Sequence, residues 1–185
     1  TELVRTIFGV DQPVSGCIEI DGKPIRVASP RDAVQLGIML VPEDRKELGL
    51  ILEMTINENI PLPKTSLMQK LLVDRKSDAN LAAKQAADLA IKAPSLGQEV
   101  GNLSGGNQQK VALAKWLALS PKVMILDEPT RGIDVGSKQE IYRIIRQLTD
   151  SGVAVLMVSS EMEEIIGLSD RALVMHEGVL SGELS

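Results

Sequence analysis

The sequence is short of the side chains that build zinc sites, disulfides and aromatic cores. Among 185 residues there is one cysteine, Cys17, one histidine, His176, and a single copy each of Phe, Trp and Tyr. One cysteine excludes an intrachain disulfide. Without a second histidine, or a cysteine near it in sequence, a His/Cys zinc site lacks ligands. Cys17, in the alternating run Cys17-Ile18-Glu19-Ile20, reads as a small buried strand residue, and His176 as a strand-end residue. With aromatics at 2%, the core must be built from Leu, Ile, Val, Met and Ala. No apolar run reaches bilayer-spanning length, and no charged segment followed by an apolar stretch marks a signal peptide. The expectation is a cytoplasmic chain that meets a membrane only through a partner. Excess basic charge is also lacking: the formal net charge is −5. That argues against a broad basic face for duplex nucleic acid, and no nucleic-acid partner is expected.

What is present reads as one α/β domain over residues 1–185, since this length supports one sizeable core but hardly two. Glu2 to Phe8 reads as a short helix stopped at Gly9. Cys17 to Ile20 and Pro24 to Val27 flank Asp21-Gly22, a pair suited to a tight hairpin turn. Pro30 to Leu36 reads as a short helix and Ile38 to Val41 as a buried strand closed by Pro42. Between Thr55 and about Gly101, Ala82, Ala86, Leu89 and Ala90 recur at helical spacing and Pro61, Pro63 and Pro94 punctuate. This stretch is expected to be a helical subdomain inserted in the α/β core. Beyond it, a helix from Gly105 to Leu119 capped by Ser104, a strand Val123 to Leu126, a helix with Ile141, Ile144, Ile145 and Leu148 on one face, a strand Val153 to Val158, a helix Glu161 to Gly167 and a third strand Ala172 to Met175 alternate. Continuous apolar strands separated by amphipathic helices predict a parallel sheet covered on both faces.

Two segments carry chemistry. Val123-Met124-Ile125-Leu126-Asp127-Glu128 is an apolar strand ending in two acids, and parallel sheets bind ligands at the carboxyl ends of their strands. Asp127 there can orient Mg²⁺, often through water, and Glu128 can polarise an attacking water. The competing reading is a pair of solvated turn acids. Leu103-Ser104-Gly105-Gly106-Asn107-Gln108 opens a helix: glycines allow close backbone approach to a phosphate, and the helix start offers free N–H groups. Its competing reading is an ordinary capped helix. The order and spacing of the two segments, about twenty residues apart, decide between these readings.

Together with Gly132-Ile133-Asp134, these segments resemble the ATP-binding-cassette family, whose signature motif, Walker B strand and D-loop occur in this order. Glu43-Asp44-Arg45-Lys46, Gly105-Gly106-Asn107-Gln108-Gln109-Lys110, Glu128-Pro129-Thr130-Arg131-Gly132-Ile133-Asp134-Val135-Gly136 and Ser159-Ser160-Glu161-Met162 are similar to the second cassette of fused two-cassette ATPases of bacterial sugar importers. The ending Val174-Met175-His176-Glu177-Gly178 with Ser181-Gly182-Glu183 looks most like the ribose importer. Arabinose, galactoside, xylose and autoinducer-2 importers are close alternatives. The resemblance implies a P-loop NTPase-like cassette with a mostly parallel core sheet, a small antiparallel β part and the inserted helical subdomain. It implies ATP and Mg²⁺ as ligands and ATP hydrolysis coupled to import. The implied partners are a second cassette, transmembrane permease subunits and, indirectly, a periplasmic sugar-binding protein, at the cytoplasmic face of the inner membrane. A non-hydrolysing partner half is the alternative.

The resemblance assigns roles residue by residue. Glu128 is the catalytic base. Asp127 and Thr1 attend the metal. Thr1, Glu43, Ser104, Gly105, Gly106, Asn107, Asp134 and Ser160 attend nucleotide, with Ser104 to Asn107 facing the partner cassette's ATP. Three departures stand out. Thr1 aligns with the Ser/Thr that closes the phosphate-binding loop, so the start of that loop is expected to be missing. Glu43 replaces the usual Q-loop glutamine and is expected to add negative charge beside a triphosphate. Ser160 replaces the usual histidine and is too short to act in its place. These departures predict an asymmetric pair in which this chain's own Walker side is the weaker. Leu50 to Ile60 is a candidate for the surface that receives the permease, with core packing as the equal alternative.

Overall fold

The computed structural model describes residues 1–68 and 74–185. The expected helical stretch from 55 to 101 therefore includes five residues, 69–73, outside the described ones. The element order is α1 (Glu2–Ile7), β1 (Ile18–Ile20), β2 (Lys23–Ile25), α2 (Pro30–Gln35), β3 (Ile38–Val41), α3 (Ile56–Asn59), α4 (Leu62–Met68), α5 (Arg75–Asp88), α6 (Gly105–Leu117), β4 (Val123–Asp127), α7 (Val135–Asp150), β5 (Ala154–Val158), α8 (Met162–Leu168), β6 (Ala172–His176) and β7 (Val179–Leu184).

A three-stranded parallel sheet, β3-β4-β5, forms the centre, with β4 in the middle. Its register sets Leu40 beside Ile125 and Ile125 beside Leu156. Side chains alternate across a strand, and here the alternation sorts them into two cores. Met39, Val41, Met124 and Leu126 face one way, onto Val111 and Ala114 of α6, Ile56, Ile60, Ala82, and Ile141 and Ile145 of α7. Ile38, Leu40 and Ile125 face the other way, onto Val4 of α1, Phe8 just past its end and Ala33 of α2. Phe8 meets the edge of Trp116 with ring centroids 6.1 Å apart, so the two scarce aromatics help close the second core.

Local chemistry sets the element ends. Asp21 and Gly22 both take positive φ, 53° and 70°, which a two-residue turn between twisted strands requires, and β1 pairs antiparallel with β2. Ser29, Asp74, Ser104 and Asp134 each cap the following helix by accepting a backbone N–H. Acceptors of this kind satisfy donors that the first turn leaves free.

Four expectations need correction. Cys17 is exposed, because it precedes β1 rather than lying within it. Ala90 is not on the buried face of α5: it has φ +48° just past the end of that helix and is exposed. The third strand, β6, does not join the parallel sheet. It pairs antiparallel with β7, a strand that the sequence pattern did not reveal, through a turn with positive φ at Glu177 and Gly178. The parallel sheet is also not covered on both faces along its whole width, since Ala154 and Leu156 of β5 are exposed. His176 does end β6.

Candidate nucleotide site

Strand β4 ends on Asp127, which is 3% exposed. One of its carboxylate oxygens, Oδ1, has no hydrogen-bond partner. Buried polar atoms are nearly always paired, so an orphaned carboxylate oxygen at the carboxyl edge of a parallel strand fits a ligand from outside the chain. Among the described residues no group of three or more His, Cys, Asp or Glu could hold a metal alone. Mg²⁺ suits such a site, because it is commonly held by one or two carboxylates with water and phosphate oxygens. Thr1 lies exposed at the start of α1, and its hydroxyl does not cap that helix.

Glu128 follows at φ +48°, a left-handed conformation that non-glycine residues seldom adopt. Its N–H donates to Val158 O at 2.9 Å, which ties the turn to the end of β5. Its Oε2 accepts from the Ser160 hydroxyl at 3.1 Å. Ser160 thus reaches the carboxylate that is expected to act as base.

Glu43, just beyond β3, forms an ion pair with Arg131. The expected excess of negative charge at this position is therefore matched by a cation. Arg45 opens a π-helical turn, Arg45–Gly49, and reaches the same loop. Its Nη1 donates to Arg131 O at 2.9 Å and its Nη2 to Gly132 O at 3.4 Å. Burial lowers the Arg45 pKa from its ordinary value. The loops after β3 and β4 are clasped together by side chain on side chain and side chain on backbone.

The Ser104-Gly105-Gly106-Asn107 turn is packed from within the chain. Ser104 Oγ accepts from Asn107 N at 3.5 Å and from Asn107 Nδ2 at 3.0 Å, and Asn107 Oδ1 accepts from Lys92 N at 2.8 Å. A Cβ at Gly105 would lie 3.0 Å from Arg45 Nη2 and 3.1 Å from Gly132 O, and one at Gly106 would collide with the side chain of Ser137. The glycines thus answer a need inside the fold, where α6 abuts the start of α7. Asp134 caps α7, accepting from Ser137 N at 3.0 Å and Ser137 Oγ at 2.8 Å. Those bonds, the backbone one first, hold its carboxyl below the ordinary range.

Leu50, Ile56 and Ile60 are core residues. Within Leu50 to Ile60 core packing therefore accounts for these three, while Ile51 is exposed. Buried Asn59 holds the preceding loop, accepting from Ile51 N at 2.9 Å and donating to Ile51 O at 2.8 Å.

Two polar clusters escaped the sequence reading. Lys110, 2% exposed, pairs with Glu140 of α7 at 2.6 Å and donates to Ala90 O at 2.9 Å, while Lys92 meets the same Glu140 at 3.0 Å. Lys110 first, then Lys92, lowers the Glu140 pKa. The second cluster is Glu164 of α8, 1% exposed, which accepts from Thr130, Ser159 and Tyr142. Glu164 carries no sequence signal, because its partners lie 34, 5 and 22 residues away. Arg45 stood in a recognised motif without a role, its partners being 86 and 87 residues distant.

The architecture is that of an ATP-binding cassette. The chain aligns over 99% of its length with 78% of a dimeric ATP-binding cassette in a post-hydrolysis state bound to ADP and Pi (TM-score 0.81, 21% identity). It aligns over 98% with 74% of a nucleotide-free ATP-binding cassette from an ABC transporter (TM-score 0.83, 22% identity). A family model described as ABC transporter matches residues 1–131, and the chain belongs to that family. Over its full length it is 54% identical to the ribose import ATP-binding protein RbsA of Bacillus licheniformis and 49% identical to that of Bacillus subtilis. It is 51% identical to the protein of the same description from Streptococcus agalactiae. The chain spans 38% of the length of each of these relatives.

Proposed function

We propose that this chain is the second, C-terminal cassette of a two-cassette ATPase that powers bacterial import of ribose or a related monosaccharide. About half of its residues are shared, across the whole chain, with proteins described as ribose import ATP-binding proteins. The observation that carries the catalytic part is the orphaned, buried Asp127 oxygen beside a Glu128 held by Ser160. Asp127, with Thr1, is the residue to hold Mg²⁺. The ion, when bound with ATP, supplies charge neutralisation at the phosphates. Glu128 accepts a proton from the attacking water, and the Ser160 hydroxyl aims its carboxylate. Glu43, held by Arg131, lines the same edge. Ser104 to Asn107 and Asp134 present the helix start of α6 and the capped start of α7 to the nucleotide of the partner cassette, where free N–H groups favour an anion. The described helices between 55 and 101 form the part that meets the permease, with exposed Ile51, within the candidate stretch Leu50 to Ile60, available to it. The assembled protein sits peripherally on the cytoplasmic face of the inner membrane, served by a periplasmic sugar-binding protein.

The test is reconstitution of the full-length protein with its permease in vesicles. Hydrolysis of MgATP should rise with ribose-loaded binding protein, and Asp127→Asn should lower it. Stimulation by a different sugar alone would reassign the substrate. Undiminished hydrolysis by the Asp127→Asn protein would remove this site from the reaction.

A further inference from the structure

Glu164 is a buried acid for which the proposed mechanism has no use. Three hydroxyls from three elements converge on it. Thr130, from the loop after β4, and Tyr142 of α7, at 3.3 Å, donate to Oε1; Ser159, from the end of β5, donates to Oε2 at 2.5 Å. Ser159 Oγ in turn accepts from Glu161 N at 3.0 Å, which fixes its orientation. Two of the three donors are chain neighbours of site residues. Thr130 stands two residues after Glu128, and Ser159 immediately precedes Ser160. Because Ser160 donates to Glu128 at 3.1 Å, the contacts close a ring: Glu128, Thr130, Glu164, Ser159, Ser160 and back to Glu128.

We infer that Glu164 is the positioning residue of this site: it fixes the spacing between the loops after β4 and β5 and thereby aims the Glu128 carboxylate. An acid this deeply buried is costly unless hydrogen bonds satisfy it, and packing alone would be served as well by an apolar side chain. What an apolar residue cannot do is hold two loops by directed bonds. Glu128 needs such a hold, because its positive φ persists only where the surroundings over-determine it. Hydroxyl donors suit the task, since each can rotate to meet one fixed acceptor. The inference rests on the reading of Glu128 as the base.

A double-mutant cycle in the full-length protein that carries this chain, with the partner cassette's own base replaced so that turnover reports on this site, tests it. Glu128→Gln, Glu164→Ala and the combination are compared for ATPase kcat and KM, with Glu164→Gln and Ser159→Ala as milder variants should alanine fail to fold. Glu164→Ala should lower kcat by about threefold or more and leave the KM for ATP within about twofold, because positioning acts after binding. Ser159→Ala should fall between wild type and Glu164→Ala. In the Glu128→Gln background the same Glu164 change should cost nothing further, as residues acting through one another are non-additive. An equal further loss there, or an unchanged kcat in Glu164→Ala and Glu164→Gln, would overturn the inference and leave Glu128 as base. An unchanged kcat in Glu128→Gln alone would instead overturn the reading beneath it.

Discussion

The two ends of the candidate site are built differently. At the carboxyl edge of β4, Asp127 keeps a buried oxygen without a partner and Glu128 sits in a strained backbone conformation. At the start of α6, by contrast, Ser104 and Asn107 have partners in the chain, and the glycine positions are pressed against Arg45, Gly132 and Ser137. An unpaired carboxylate oxygen at a strand's carboxyl edge, beside a strained turn, fits a ligand from outside the chain. A close-packed turn whose Ser104 and Asn107 side chains are paired is a platform whose shape is set before anything binds. The first region should therefore respond to substitution in its chemistry, and the second in its stability.

The largest effect should come from the platform. Gly106→Leu forces a side chain into Ser137, and overpacking of this kind typically costs about 1–3 kcal/mol. Chemical denaturation should show the lower midpoint even without nucleotide. If stability is untouched while hydrolysis vanishes, Gly106 serves phosphate approach alone and the contrast between the regions breaks. Next should come the proposed base. Glu128→Gln should lower turnover without moving the melting temperature, and the matching change in the partner cassette should cost about a hundredfold or more. The structure bears on the expected asymmetry, because Glu43 is paired with Arg131 and Ser160 touches Glu128. Equal losses from the two substitutions would show that these contacts make the two sites equivalent.

A smaller effect should appear with pH. The Glu140 carboxyl lies below its ordinary value of 4.5 because Lys110 and Lys92 donate to it. A depressed acid stabilises the fold above its unfolded value and loses that contribution as pH falls through the folded one. Melting temperature should therefore drop as pH falls below about 4.5, and Glu140→Gln should flatten that slope while lowering stability near neutrality. A slope unchanged in Glu140→Gln would mean that other acids govern it. Least affected should be Ser104→Ala. Losing a helix cap costs about 0.5–2 kcal/mol, and the free N–H groups of α6 remain for an anion. A calorimetric melting curve would register the loss, and a hydrolysis defect larger than that of Glu128→Gln would place the hydroxyl in the chemistry.

Much of this molecule was legible from local pattern. The strand delivering Asp127, the Asp21-Gly22 turn, the Ser104 cap and the isoleucine face of α7 each depend on residues within a few positions of one another. Where the reading failed, the deciding partner was distant or the pattern was ambiguous. An apolar run such as Ala172 to Met175 suits a parallel or an antiparallel neighbour equally, and only pairing with Val179–Leu184 assigned it. Cys17 sits in a good alternating run, yet the strand begins one residue later and leaves it exposed.

The sequence alone determined that this chain is an α/β cassette with an acid-ended strand followed by its D-loop turn and preceded by a capped, glycine-rich helix start. Those are properties of short segments, whose backbone preferences and spacing are written in the residues themselves. Only the tertiary structure decided that Glu43 is neutralised by Arg131, that Arg45 grips the carbonyls of Arg131 and Gly132, and that Glu164 gathers Thr130, Ser159 and Tyr142. Most of these contacts join residues far apart along the chain. A charged or hydroxyl side chain looks the same in sequence whether it meets water or a partner that folding brings to it.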